Sequence, residues 1–180
     1  MIEPIELSHG VELRVLARQD AEFLATTYTK NRAHLAPWDA ERHEDFFTTA
    51  WHEGETAQQL AAYASGAAVP LVLATPTAIV GRVTLSGITR GAFESASLGY
   101  WVDEEFSGHG LISAAVGHVV GIARDSVGLH RLQAGTLLHN HASQRVLQKA
   151  GFESFGMAPR YLRIAGEWQD HRLFQKILHD

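Results

Sequence analysis

The sequence predicts an α+β domain on a largely antiparallel sheet, with one strand–loop–helix unit at its centre. Three observations carry this reading. Strand-period runs dominate from residue 69 onward, one long run spaced by three and four interrupts them at Leu111–Val127, and a glycine-bearing loop joins that run to the strand before it. The composition agrees: 46 % of the 180 residues are hydrophobic and 19 % charged, enough apolar material for one domain spanning 1–180 and the opposite of a disordered chain.

The elements follow in order. Ile5 to Val15 reads as an extended pair around a Ser8-His9-Gly10 turn. Asp20 opens a helix whose apolar points are Phe23, Leu24 and Tyr28. Pro37 and Trp38 interrupt the chain before a second helical stretch, Glu44 to Ser65, which Gly66 is placed to cap. Strands are expected at Val69–Ala74 and Ile79–Leu85, joined through Thr75-Pro76-Thr77, and again at Ser97–Val102. Within Leu111–Val127, the residues Ile112, Ala115, Val116, Val119 and Ala123 share one helical face. Arg131–Leu138 reads as a strand and His141–Ala150 as a short helix capped by Gly151. Two last strands, Glu153–Ile164 and Glu167–Leu178, flank an Ala165-Gly166 turn.

Several classes are excluded or disfavoured. The net charge of −5 and the lack of a Lys/Arg block predict no direct nucleic-acid contact. The chain has no cysteine, which removes disulfides, thiolate nucleophiles and Cys-based zinc sites together. His139 and His141 flank Asn140 but have no such partners, so no metal site is expected. No run approaches the roughly 18 apolar residues of a membrane span, and the N-terminus lacks the pattern of a secretory signal. A cytoplasmic protein is the expectation.

Two segments carry chemistry. In the first, the strand Ser97–Val102 runs through Asp103-Glu104-Glu105, read as a solvated bend, into Ser107-Gly108-His109-Gly110 and the helix after it. A helix N-terminus offers unpaired N–H groups and a positive dipole end, which suits a phosphate, and glycines let it approach. In the second, Asn140 is a natural N-cap, with Ser143 three residues on and its hydroxyl near the end of the preceding strand.

Taken together, these segments resemble the GNAT acetyltransferase superfamily, and within it the RimJ/RimL branch of N-terminal acetyltransferases. The likeness also runs through Asn31-Arg32, Leu35-Ala36-Pro37-Trp38, Val80-Gly81-Arg82-Val83, Arg90-Gly91-Ala92-Phe93 and Leu98-Gly99-Tyr100-Trp101. It continues at His130-Arg131, Gly151-Phe152 and Gly166-Glu167-Trp168-Gln169-Asp170-His171. It implies the GNAT fold, a twisted and mostly antiparallel sheet of about seven strands with flanking helices.

The same resemblance implies a site. Acetyl-CoA would lie in a V between two central strands, with Tyr100, Trp101 and Val102 pairing with its pantetheine arm and polarising the thioester. Ser107, Gly108, His109, Gly110, Leu111 and Ile112 match the pyrophosphate loop, in which Gly110 is the required glycine. Ser107 stands where Gln or Arg is usual, and Ile112 where Gly or Ala is usual. Asn140 matches the contact to the pantetheine arm, and Ser143 the hydroxyl that protonates the departing thiolate. A glutamate base often precedes the Leu-Gly-Tyr-Trp stretch; here that position is Ser97, and Glu94 is the nearest carboxylate. Trp38 and Tyr161 are read as acceptor-binding aromatics or as packing.

The reaction implied is direct attack of an amine on the thioester, with no acyl-enzyme. The acceptor expected is a protein N-terminal α-amine of ribosomal-protein alanine or serine type. A small amine, antibiotic or aminoacyl nucleotide is the alternative, and a non-catalytic acyl-CoA-binding domain a further one. The expected assembly is a monomer or homodimer.

Overall fold

In the computed structural model, which describes residues 2–179, the strands are β1 (Ile5–Glu6), β2 (Glu12–Val15), β3 (Val69–Ala74), β4 (Ile79–Thr89), β5 (Ser95–Val102), β6 (Arg131–Leu137), β7 (Glu153–Ile164) and β8 (Glu167–Ile177). The α-helices are α1 (Ala21–Lys30), α2 (Arg32–Leu35), α3 (Thr49–Ala64), α4 (Leu111–Gly121) and α5 (His141–Lys149). One eight-stranded sheet results, in the order β1-β2-β3-β4-β5-β6-β8-β7, one strand more than the resemblance implied. Every neighbouring pair is antiparallel except β5 and β6, which run parallel.

That exception positions the site. β5 and β6 pair only at Ser95–Arg131, Ala96–Leu132 and Ser97–Gln133. Beyond Ser97 the strands continue to Val102 and Leu137 without each other, leaving a gap in mid-sheet.

Both faces of the sheet are covered near this gap. All six residues of β3 are buried, so an antiparallel strand reads as a continuous apolar run. Its alternation still assigns the faces. Val69, Leu71 and Leu73 join the core under α4 with Ala115, Val116 and Val119, whereas Val72 and Ala74 join Leu24, Tyr28 and Phe46.

The local readings hold with instructive exceptions. Phe23, expected on the apolar face of α1, is 37 % exposed, while Leu24 and Tyr28 are buried. The stretch expected as a single helix from Glu44 is divided into a 3₁₀ turn at Glu44–Phe47 and then α3. Thr48 divides it, because its Oγ1 accepts from the Trp51 amide at 3.3 Å and caps the helix proper. The Leu111–Val127 helix ends as α at Gly121 and continues as a π segment, Ile122–Ser126. There the Val127 amide reaches the carbonyl of Ile122 five residues back.

The acidic bend after β5 is solvated only at Glu104 and Glu105; Asp103 is buried. Asp103 is 2 % exposed, and it accepts from Lys30 Nζ at 2.9 Å, Asn31 Nδ2 at 3.0 Å and the Glu105 amide at 2.9 Å. Burial alone would raise its pKa, but the hydrogen bonds from Asn31 and Lys30 outweigh it and hold the carboxyl below its ordinary value. Asn31 returns the contact by accepting from the Glu104 amide at 2.9 Å. The end of α1 is thereby tied to the start of the glycine loop.

Between α1 and α3 lies a buried histidine. His52 is 1 % exposed, stacks on Tyr28 at 5.2 Å between ring centroids, and meets Phe46 and Trp51 edge-on. Burial, reinforced by the charge of Arg82, lowers its pKa to about 4. An unfolded histidine takes up its proton near pH 6.5, so the unfolded chain binds more protons between those values. Stability should therefore fall as pH drops from 6.5 toward 4, with His52 contributing at most about 1.4 kcal/mol per pH unit. Urea unfolding across this range should show a shallower pH slope for His52→Phe than for the parent, whatever the variant's absolute stability.

Candidate active site

The gap between β5 and β6 opens into a cleft of about 540 Å³. Tyr100, Trp101 and Val102 line one wall, and Asn140, Ser143 and Arg145 the opposite one. Main-chain groups of β5 beyond Ser97 that no longer meet β6 face this space, and buried backbone groups of this kind require a partner.

The floor is the start of α4. Gly110 is its N-cap residue with φ +78°, and Gly108 lies two residues before it at φ +81°. A side chain on either would sit in the left-handed region that L-residues seldom adopt. The amides of Leu111, Ile112 and Ser113 have no carbonyl one turn back, so they and the helix dipole form an anion-binding end. Arg145 and Lys149, one turn apart on α5, add cationic side chains on the same cleft.

At the other wall, Asn140 Oδ1 accepts from the Ser143 amide at 3.0 Å and caps α5. Ser143 Oγ lies 2.8 Å from the Tyr100 hydroxyl, which is also 3.1 Å from the Ser143 carbonyl oxygen.

A second cavity of about 690 Å³ lies beside the cleft, bounded by α2, the 3₁₀ turn and the β7–β8 turn. Its lining includes Tyr28, Arg32, Phe46, Arg163 and Gly166, and Leu35 borders both spaces. Tyr28 and Trp101 form the partition, with Trp101 Nε1 donating to the Tyr28 hydroxyl at 2.6 Å.

The structure thus gathers Tyr100, Trp101, Val102, Ser107, Gly108, Gly110, Ile112, Asn140, Ser143 and Trp38 around one cleft. It sets the Leu111 side chain, His109 and Tyr161 apart, and it leaves Ser107 on the cleft with its donors engaged. The Leu111 side chain is 1 % exposed in the core, so only its main chain is available. His109 does not line the cleft, and its ring meets that of His9 at 5.5 Å. The Ser107 amide already donates to the Glu104 carbonyl at 3.0 Å and its hydroxyl to the Asp103 carbonyl at 3.3 Å, which removes it as an anion donor. Tyr161, 48 % exposed, lines neither cavity and lies 5.5 Å from the ring of His171.

Glu94 is a fifth correction. It precedes β5 at φ +37°, its carbonyl accepting from the amides of His130 and Arg131, and it lines neither cavity. Six residues of extended chain separate it from Tyr100, about 20 Å. No general-base contact follows at that distance. Sequence reasoning missed Arg145, Lys149 and Tyr28. The one available signal was the i, i+4 spacing of the first two on a helix starting at Asn140.

The model of the acetyltransferase (GNAT) domain matches residues 10–153. The chain belongs to the GNAT acetyltransferase family. It is accordingly an acyltransferase enzyme, which sets the binding-only alternative aside, and its fold is the GNAT fold. Members of this family use acetyl-CoA as the acyl donor. The [ribosomal protein uS5]-alanine N-acetyltransferase of Escherichia coli is 31 % identical over 163 residues, 89 % of this chain and 84 % of the relative. The ribosomal-protein-S5-alanine acetyltransferase of Vibrio fischeri superposes with a TM-score of 0.95 at 32 % identity, over 99 % of this chain and 98 % of that one. RimJ of Mycobacterium smegmatis, solved with CoA-disulfide, gives a TM-score of 0.90 at 29 % identity, over 97 % and 86 % of the two chains. Among the described residues no cluster of His, Cys, Asp or Glu could hold a metal, and no helix is long and apolar enough to cross a membrane.

Two substitutions separate main-chain from side-chain recognition at the loop. Gly110→Val should weaken CoA binding by at least about tenfold, because both the backbone conformation and the approach are lost. Ser107→Ala should change it by less than about threefold, since that residue's donors are already engaged. Titration calorimetry with CoA reads both.

Proposed function

We propose that the chain is an acetyl-CoA-dependent N-acetyltransferase acting on a protein N-terminal α-amine, with a ribosomal protein of the alanine type as acceptor. The observation that carries the proposal is the interrupted β5–β6 pairing. It brings unpaired strand backbone, the Gly108–Gly110 cradle and the Ser143 hydroxyl to one cleft. The relatives named for uS5-alanine acetylation, and the RimJ structure holding a CoA-disulfide, support the acceptor and the donor. A ribosomal acceptor is a cytoplasmic one.

The residues present fit such a donor. The α4 N-terminus and the Gly108–Gly110 turns take the pyrophosphate, with Arg145 and Lys149 beside them. Asn140 and the free edge of β5 hold the pantetheine arm. Acetyl-CoA supplies an acetyl group activated as a thioester. Main-chain N–H groups on β5 stabilise charge growing on the carbonyl oxygen, an interaction that strengthens only toward the transition state. As the N–C bond forms and the C–S bond breaks, the electron pair stays on sulfur, and the Ser143 hydroxyl gives it a proton. The amine, which attacks neutral, loses a proton to solvent, and solvent returns one to the Ser143 oxygen, so serine ends the cycle as a hydroxyl.

The acceptor enters through the second cavity, which meets the cleft at the Tyr28–Trp101 partition and at Leu35. Among the described residues no carboxylate lines the cofactor cleft, where His34 is present, while Asp39, Glu41 and His43 line the second cavity. An α-amine of pKa about 7.7–8.0 is partly neutral at cellular pH, whereas a lysine amine near 10.4 is almost wholly charged. An N-terminal amine therefore needs less help from a base than a side-chain amine does.

Three outcomes test this. Peptides beginning with alanine should gain one acetyl group by mass spectrometry in preference to small amines and aminoacyl nucleotides; a reversed preference assigns the enzyme to the second class. The rise of kcat/KM with pH should follow the acceptor amine's own pKa and move when the acceptor is changed. Ser143→Ala should lower kcat by about 10²–10⁴ with acetyl-CoA binding retained.

A further inference from the structure

The Ser143 hydroxyl has a partner that constrains where its proton points. Tyr100 stands on β5 three residues beyond the last β5–β6 pair, and its hydroxyl crosses the gap to the first turn of α5. There it meets two oxygens of one residue, Ser143 Oγ at 2.8 Å and the Ser143 carbonyl at 3.1 Å. The Ser143 amide is committed to Asn140 Oδ1, so this turn is fixed in place.

A phenol has one proton and must choose between the two acceptors. If it donates to the carbonyl, the close hydroxyl contact requires Ser143 to donate to the phenol oxygen. The serine proton then points away from the cleft. If the phenol donates to Oγ, the serine proton is released to turn toward the cleft. The second arrangement aims both O–H dipoles toward negative charge forming there, so it gains most as the thiolate develops. Burial pushes the Tyr100 phenol up to about 12, so it stays a donor throughout the working pH range.

We infer that Tyr100 is a positioning residue for acetyl transfer: its hydroxyl donates to Ser143 Oγ and turns the serine proton toward the departing sulfur. The inference rests on the reading of Ser143 as the proton donor. Tyr100 itself keeps its proton, and it acts wholly through Ser143.

A double-mutant cycle tests it. Tyr100→Phe keeps the ring and removes only the hydroxyl, so melting temperature and acetyl-CoA KM should stay near the parent's while kcat falls by about ten- to a hundredfold. In the Ser143→Ala background the same change should cost kcat nothing further, because the group it orients is gone. Equal losses in both backgrounds would overturn the inference, as would parental kcat in Tyr100→Phe beside an impaired Ser143→Ala. Parental kcat in Ser143→Ala would instead remove the role given to Ser143, and the inference with it. The two failures are therefore distinguishable.

Discussion

Much of this molecule depends on a parallel strand pairing that stops after three residue pairs. Elsewhere the sheet is antiparallel, and its ladder satisfies the backbone locally. Where β5 and β6 part, two strands keep their extended form with main-chain groups facing a space and no neighbour to meet. Such groups are costly when buried, so a strand-like ligand that bonds to them gains what water would otherwise supply. The α4 N-terminus borders the same gap and turns a further set of unpaired amides toward it, while the first turn of α5, capped by Asn140, forms the facing wall.

The gap has braces on both sides. Lys30 and Asn31 hold Asp103, and Asn31 also holds the Glu104 amide, so the glycine loop cannot shift without disturbing the end of α1. Trp101 reaches the other way, to the Tyr28 hydroxyl in the wall of the second cavity. Tyr28 is held among aromatic rings, those of Phe46, His52 and Trp101. A side chain bordering one cavity is thereby fixed by a group bordering the other. The two spaces are structurally one device.

The sequence made most of the sheet legible because its signals are local. The β3 run, the Ala165-Gly166 hairpin and the Gly151 cap each lie within a few residues of the pattern that announces them. Asn140 and Ser143 were legible for the same reason, their spacing being that of a cap and its third residue. The side-chain links across the fold were not. Asn31 and Asp103 are separated by 72 positions and look like an ordinary helix end and an acidic turn until packing buries both. Glu94 shows the reverse error, since nearness in sequence to the Leu98-Gly99-Tyr100-Trp101 stretch became a separation along an extended strand. The π segment after α4 left no periodicity to find, because one added residue preserves the burial of Ala123 while changing only the hydrogen-bond register.

The loop at Gly108 and Gly110 uses its side chains sparingly. Ser107 spends its amide on a local turn, His109 faces away toward His9, and Ile112 packs partly into the core. What the loop presents is a pair of left-handed dihedral angles and the amides that follow them. Letter by letter the loop departs from the usual pattern at Ser107 and Ile112 and keeps Gly110. A comparison that scored backbone shape would rank it as intact. At this loop the anion-binding geometry is written in backbone torsions more than in side chains.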